Sequence, residues 1–226
     1  MTATQKTPLP TIEIERGSDP THTILWMHGL GADGNDFVPI IDELVLPPDI
    51  SVRFVFPHAP MRAVTINKGF VMRAWYDVLE LSFNRTEDEE GLRDSQRAIE
   101  FLLERERRRG IMPGRIILAG FSQGGAMALQ TGLRYPEKLA GIMALSCYLP
   151  MRQSLATESH CANFSTAIFM AHGNLDSVVP MPLATASRKM LLESGYAVEW
   201  HEYPMAHSVC ADEMADISSW LQRVLV

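Results

Sequence analysis

A chain of 226 residues is long enough to bury one sizeable hydrophobic core, and its 46% hydrophobic and 21% charged residues are the balance of a folded globular protein rather than a disordered one. A formal net charge of -7 argues against a protein that grips a phosphate backbone, so no nucleic-acid partner is expected. No run of about eighteen apolar residues occurs, so no stable membrane insertion is expected either.

In chain order, Met1 to Pro20 is polar and lacks the apolar centre of a secretory signal. Thr11–Glu15 alternates apolar and polar residues, as an edge strand does. Thr23–Met27, Val52–Phe56, Arg115–Leu118, Leu139–Leu145, Ala167–Met170 and Val198–Tyr203 are β-rich, and several are continuously apolar, as buried parallel strands tend to be. Helical patterns fall between them. Asp36–Leu46 stops at Pro47-Pro48, Gln123–Arg134 stops before Tyr135-Pro136, Pro182–Ser194 stops at Gly195, and Ala211–Leu225 repeats apolar residues at helical spacing. Glu87–Arg109 opens on acidic residues and closes on Arg105, Arg107, Arg108 and Arg109, which complements a helix dipole and gives that arginine cluster a structural role. Ala59–Phe83 and Met151–Ser165 resist assignment. Strands alternating with helices, without a linker or repeat, predict one α/β domain over residues 1–226, with a mainly parallel central sheet and helices on both faces. Cys147, Cys161 and Cys210 are few, odd in number and without metal-ligand spacing, which fits reduced thiols in a cytoplasmic protein.

The motif with chemical content is Gly120-Phe121-Ser122-Gln123-Gly124, set between an apolar strand and a helix. As a bare pattern it is weak. In that context it predicts a sharp turn presenting Ser122 as a nucleophile, with glycines where strand and helix cross too closely for a Cβ. A serine hydroxyl needs a base, and the base needs an orienting carboxylate. In open α/β sheets functional groups follow the carboxyl ends of strands. Asp176 follows Ala167–Gly173, and it is the only aspartate between Ser122 and the last helix. His201 lies within a strand and is expected to be structural. His207 lies beyond that strand's end and is expected to be the base. His172 is expected to pack. No histidine pair has metal-ligand spacing, so no metal is expected. The developing oxyanion needs N–H donors, for which the Gln123 amide and the Leu30 amide, in His28-Gly-Leu-Gly-Ala-Asp-Gly34, are the candidates.

Taken together, Leu25–Gly34, Phe56-Pro-His-Ala-Pro60, Trp75-Tyr-Asp77, Leu118–Gly125, His172-Gly-x-x-Asp176-x-Val-Val-Pro180 and Tyr203-Pro-Met-Ala-His207 resemble the acyl-protein thioesterase and bacterial carboxylesterase family of α/β-hydrolases, nearly end to end. The resemblance implies Ser122, Asp176 and His207 as triad and the Leu30 and Gln123 amides as oxyanion hole. It also implies small-molecule esters or acylated thiols as substrates, no cofactor, and frequent homodimers. An apolar acyl pocket is expected from Leu30, Met72, Trp75 and Val179. Arg73 and Ala206 stand where the family often has proline and glycine. The expected function is a serine carboxylesterase or thioesterase working through an acyl-enzyme. The competing readings are a peptidase on the same fold and a binding protein that has lost catalysis.

Overall fold

The computed structural model describes residues 8–80, 82 and 86–226. The strands are β1 (Thr11–Arg16), β2 (His22–Met27), β3 (Val52–Pro57), β4 (Met61–Val64), β5 (Phe70–Arg73), β6 (Ile116–Phe121), β7 (Gly141–Leu145), β8 (Ala167–Gly173) and β9 (Val198–Tyr203). The helices are α1 (Ile40–Glu43), α2 (Glu89–Arg108), α3 (Gln123–Arg134), α4 (Leu155–Glu158), α5 (Met181–Glu193) and α6 (Ala211–Val224).

A seven-stranded sheet runs in the order β1-β3-β2-β6-β7-β8-β9. Only β1 is antiparallel to its neighbour, and it lies at the edge. Its alternation leaves Ile12 and Ile14 against the core and the glutamates outward. The central strands are apolar at successive positions because both faces are covered. Leu25, Met27, Ile116 and Leu118 pack with Leu92, Ile99, Leu102 and Leu129 of α2 and α3, and with Leu183 and Leu191 of α5. The alternate residues Ile24, Trp26, Ile117 and Ala119 meet Ile40 of α1 and Met214, Ile217 and Trp220 of α6. The parallel register aligns the strand ends: Met27 pairs with Gly120, Phe121 with Leu145, and Gly173 with Tyr203. The loops bearing Leu30, Ser122, Asp176 and His207 therefore leave one edge of the sheet together.

The helix expected over Asp36–Leu46 is reduced to the single turn of α1. Ahead of it the chain makes tight turns, with Asp36 N–H on Asp33 O, Val38 N–H on Asn35 O and Ile40 N–H on Phe37 O. Two features stop a regular helix. The Asp33 carboxylate captures the Asn35 amide at 2.7 Å, and Pro39 has no N–H to give. The unassigned stretch after Ala59 holds the antiparallel hairpin β4–β5, closed by a 3₁₀ turn at Thr65–Asn67 and by Lys68 and Gly69 at positive φ. Phe83, its far end, lies outside the described residues. Met151–Ser165 folds as short 3₁₀ turns around α4.

The arginines ending α2 are all engaged. Arg105 and Arg109 bond Glu13 and the fully buried Glu106, while Arg107 and Arg108 bond Glu104. Glu106 also accepts from Arg53 and Thr23, joining α2 to β2 and β3.

A second buried acid behaves differently. Glu213, in the first turn of α6, is 0% exposed, and among the described residues its carboxylate has no side-chain hydrogen-bond partner. Burial pushes its pKa up to about 8, with Asp216 adding to the shift and the Cys210 amide opposing it. An unfolded glutamate ionises near pH 4.5, so between there and about pH 8 the folded state holds a proton that the unfolded state has lost. Stability linked to Glu213 is thus complete below that window and falls as pH rises through it. Glu213→Gln is expected to stabilise the protein at pH 8 by on the order of a few kcal/mol and to matter little at pH 5, checked by urea melts at both values. An equal effect at the two pH values would show that Glu213 does not titrate in this window.

Candidate active site

β6 delivers Ser122 into a turn that only close backbone packing can hold. Ser122 sits at φ 56° and ψ -120°, a strained conformation for a residue with a Cβ. Its N–H donates to Leu145 O at 2.8 Å, and its carbonyl accepts the first helical bond from Ala126 N–H. A Cβ on Gly120 would lie 2.2 Å from the Gly124 backbone, and one on Gly124 would lie 2.1 Å from Met27 O. The two glycines therefore let β6, α3 and the end of β2 touch.

The glycine loop after β2 lies over the serine, since a Cβ on Gly29 would be 3.4 Å from Ser122 Cβ. His28 anchors that loop. Its Nε2 accepts from Ala59 N–H at 3.0 Å, so the ring proton must be on Nδ1, which donates to Gly29 O at 2.7 Å. Burial holds its pKa below the usual range, which favours this neutral form. Gly31, at φ +78°, donates its N–H to Arg73 O. Among the described residues the amides of Leu30 and Gln123 meet no acceptor, and both residues border a cavity beside Ser122. The Gln123 amide is also at the N-terminus of α3, where the helix dipole adds positive potential.

Asp176 and His207 meet at the ends of β8 and β9. The Asp176 Oδ2 accepts from His207 Nδ1 at 2.6 Å, while Oδ1 accepts from the Val178 and Val179 amides, each at 2.8 Å. Asp176 is buried, so these three donors stand in for water. The two loops can approach because residue 173 is glycine. A Cβ there would fall 2.4 Å from Met205 O and 2.5 Å from Ala206 O. His207 also rests against Phe121, with ring centroids 4.7 Å apart, which brings the base to the residue preceding Ser122. His201 is away from this cluster, between Phe169 and Tyr203 and bonded to Glu199 and Asp216.

His172 does more than pack. Its Nε2 donates to Val179 O at 2.8 Å and lies 3.4 Å from Asp176 Oδ2, pinning the acid loop. Burial lowers its pKa, in keeping with a neutral ring.

The cavity beside Ser122 has a volume of about 300 Å³. Leu30 and Val179 line it as expected from the sequence, but Met72 and Trp75 do not. Trp75 is wholly buried, donating its indole N–H to His28 O at 2.9 Å, so it braces the glycine loop from behind. Met72 turns its sulfur toward Asn67 Nδ2 and Gly31. The wall also includes Tyr76, Val78, Tyr148, Ile66 and Val178 and the polar Asn67 and Ser177, with the Tyr76 and Tyr148 hydroxyls bonded at 2.9 Å. Ile66 and Tyr76 belong to the irregular segment Thr65–Asp77, which the family resemblance implies as a pocket wall, and Val178 to a segment that carries that resemblance; nothing in the sequence marked Val78 or Tyr148, because they lie on irregular loops whose side-chain directions have no period.

Comparison with known proteins supplies independent findings. The family described as Phospholipase/Carboxylesterase matches residues 9–225. An acyl-protein thioesterase 1 of Neurospora crassa is 40% identical over 214 residues, covering 91% of this chain and 87% of the relative. One of Yarrowia lipolytica is 34% identical over 221 residues, covering 96% and 97%. Among solved structures, Arabidopsis thaliana SOBER1 superposes with a TM-score of 0.86 at 32% identity, covering 91% of this chain and 99% of that one. Zea mays acyl-protein thioesterase 2 gives 0.81 at 26% identity, covering 96% and 100%.

Proposed function

Because the chain belongs to the phospholipase/carboxylesterase family of α/β-hydrolases, we propose that it hydrolyses carboxylic esters or acyl thioesters through an acyl-enzyme formed on Ser122. His207 takes the Ser122 proton as Oγ attacks the carbonyl carbon, and the carbonyl oxygen gathers negative charge facing the Leu30 and Gln123 amides. The tetrahedral intermediate collapses with cleavage of the bond to the leaving oxygen or sulfur, which receives the proton from His207. Water, deprotonated by His207, then attacks the acyl-enzyme and releases the carboxylic acid and free Ser122. Asp176 keeps the proton of the resting imidazole on Nδ1 and stabilises the imidazolium. Side chains and water supply every proton and nucleophile, so the chemistry asks for no metal or cofactor.

The observation that carries this reading is the 2.6 Å bond from His207 to Asp176 beside a serine held at positive φ. The names of the thioesterase relatives extend the proposal to acylated thiols. The acyl group is assigned to the apolar cavity walled by Leu30, Val78 and Val179. Among the described residues no helix is long and apolar enough to cross a membrane, and the three cysteines are free, which suits work in the cytoplasm.

A fluorophosphonate probe tests activation of the serine. Peptide mapping is expected to place the label on Ser122, with labelling suppressed in His207→Ala. An unlabelled Ser122 in folded protein would favour the reading in which catalysis has been lost.

A further inference from the structure

The side chain of Gln123 has an arrangement that triad chemistry does not require. Gln123 is 4% exposed, and both ends of its amide are bonded to one stretch of chain 47 and 48 residues away: Oε1 accepts from Trp75 N–H at 2.9 Å and Nε2 donates to Tyr76 O at 2.7 Å. The orientation is forced, because an amide N–H can only donate and a carbonyl can only accept. The partners sit at functional places. Tyr76 lines the acyl cavity, and Trp75 supports the glycine loop through His28 O. Trp75 O in turn accepts from Ser95 of α2.

We infer that the Gln123 side chain is a positioning residue, which holds the cavity wall at Trp75-Tyr76 in fixed register with the oxyanion-binding amide of Gln123 itself. This rests on the reading that Ser122 is the nucleophile and that the Gln123 amide faces the oxyanion. One residue thus carries both functions. Its backbone N–H meets the charge that develops on the substrate, and its side chain sets where the acyl chain lies relative to that N–H. An acyl carbonyl displaced by about 1 Å from its donors loses on the order of a hundredfold in rate, so a bidentate clamp at this joint has a catalytic consequence. Indole packing alone would not fix the register, since a buried ring tolerates sliding more readily than two opposed hydrogen bonds do.

Gln123→Glu provides a test with a sign. The ionised carboxylate can still accept from Trp75 N–H but presents a second acceptor to Tyr76 O, so the clamp opens. The neutral acid can donate its O–H to Tyr76 O and close the clamp again. Turnover of a p-nitrophenyl ester by Gln123→Glu, divided by wild-type turnover at the same pH, is therefore expected to rise about tenfold or more between about pH 8 and about pH 5.5. Taking the ratio removes any pH dependence that the two proteins share. A carboxylate acting only through its negative charge near the base would favour the protonated, inactive base at low pH and make the ratio fall as pH is lowered, the opposite sign. Rates are expressed per folded molecule, with the folded fraction measured by denaturant melts at each pH. Gln123→Ala, which cannot close the clamp at any pH, is expected to lose about tenfold to a hundredfold in kcat and to give a ratio that is flat with pH.

A Gln123→Glu ratio that stays flat or falls as pH is lowered from about 8 to about 5.5 would overturn the inference, as would wild-type kcat in Gln123→Ala. Ser122→Ala is assayed alongside. If it keeps turnover, the nucleophile reading fails. If it is dead while the Gln123→Glu ratio stays flat, only the clamp fails.

Discussion

Replacing Ser122 with alanine is expected to lower kcat for ester hydrolysis by about 10⁴- to 10⁶-fold while leaving the fold intact, the scale on which other serine hydrolases lose activity with their nucleophile. Loss of the fold is not expected to contribute, and the structure says why. What holds residue 122 at φ 56° is its backbone, through the bonds to Leu145 O and from Ala126 N–H, together with the close contacts at Gly120 and Gly124. Alanine keeps all of these and carries the same Cβ, so the strain is unchanged. Among the described residues no hydrogen bond depends on the hydroxyl. Residual turnover would come from carbonyl polarisation by the Leu30 and Gln123 amides acting on attack by water. The measurement is a steady-state assay on Ser122→Ala from a host lacking other esterases, with thermal melts in parallel. Activity within tenfold of wild type in that preparation would remove Ser122 from the mechanism.

The sequence could be read furthest where side-chain chemistry and backbone period coincide. Continuously apolar runs such as Ile116–Leu118 marked buried strands because parallel sheets cover both faces. The positions of Asp176 and His207 followed from the rule that loops at the carboxyl ends of such strands share one edge. What stayed illegible depended on direction rather than identity. The family resemblance puts Trp75 at the acyl pocket, but an indole N–H in a dry interior must find an acceptor, and His28 O turns the ring inward. Tyr76, Val78 and Tyr148 line the cavity from segments without periodicity. The helix expected after Asp36 failed because local competitors, the Asp33 side chain and Pro39, outweighed the apolar spacing. Gly173 is a different case. Its identity hints at close approach, but only the structure names Met205 O and Ala206 O as the groups that come near.

Asp176→Asn is expected to lower kcat by about 10⁴-fold, nearly as much as losing the serine, although it changes only one atom's hydrogen-bonding character. The acid loop dictates the outcome. Val178 and Val179 both point N–H groups at Oδ1, so the asparagine must keep its carbonyl oxygen there. Its NH₂ group then occupies the place of Oδ2, 2.6 Å from His207 Nδ1, and can only donate. His207 must accept on Nδ1 and carry its own proton on Nε2, the tautomer that cannot take a proton from Ser122. Flipping the amide would restore an acceptor for His207 but set NH₂ against two backbone N–H groups, leaving buried donors unsatisfied at about 1–3 kcal/mol each. His172 cannot substitute, since its Nε2 proton is already given to Val179 O. Nitrogen NMR of His207 separates this account from simple loss of charge. The variant should show a protonated Nε2 and a bare Nδ1, the reverse of wild type. A variant with near wild-type turnover, or with the wild-type tautomer, would mean that another group orients the base.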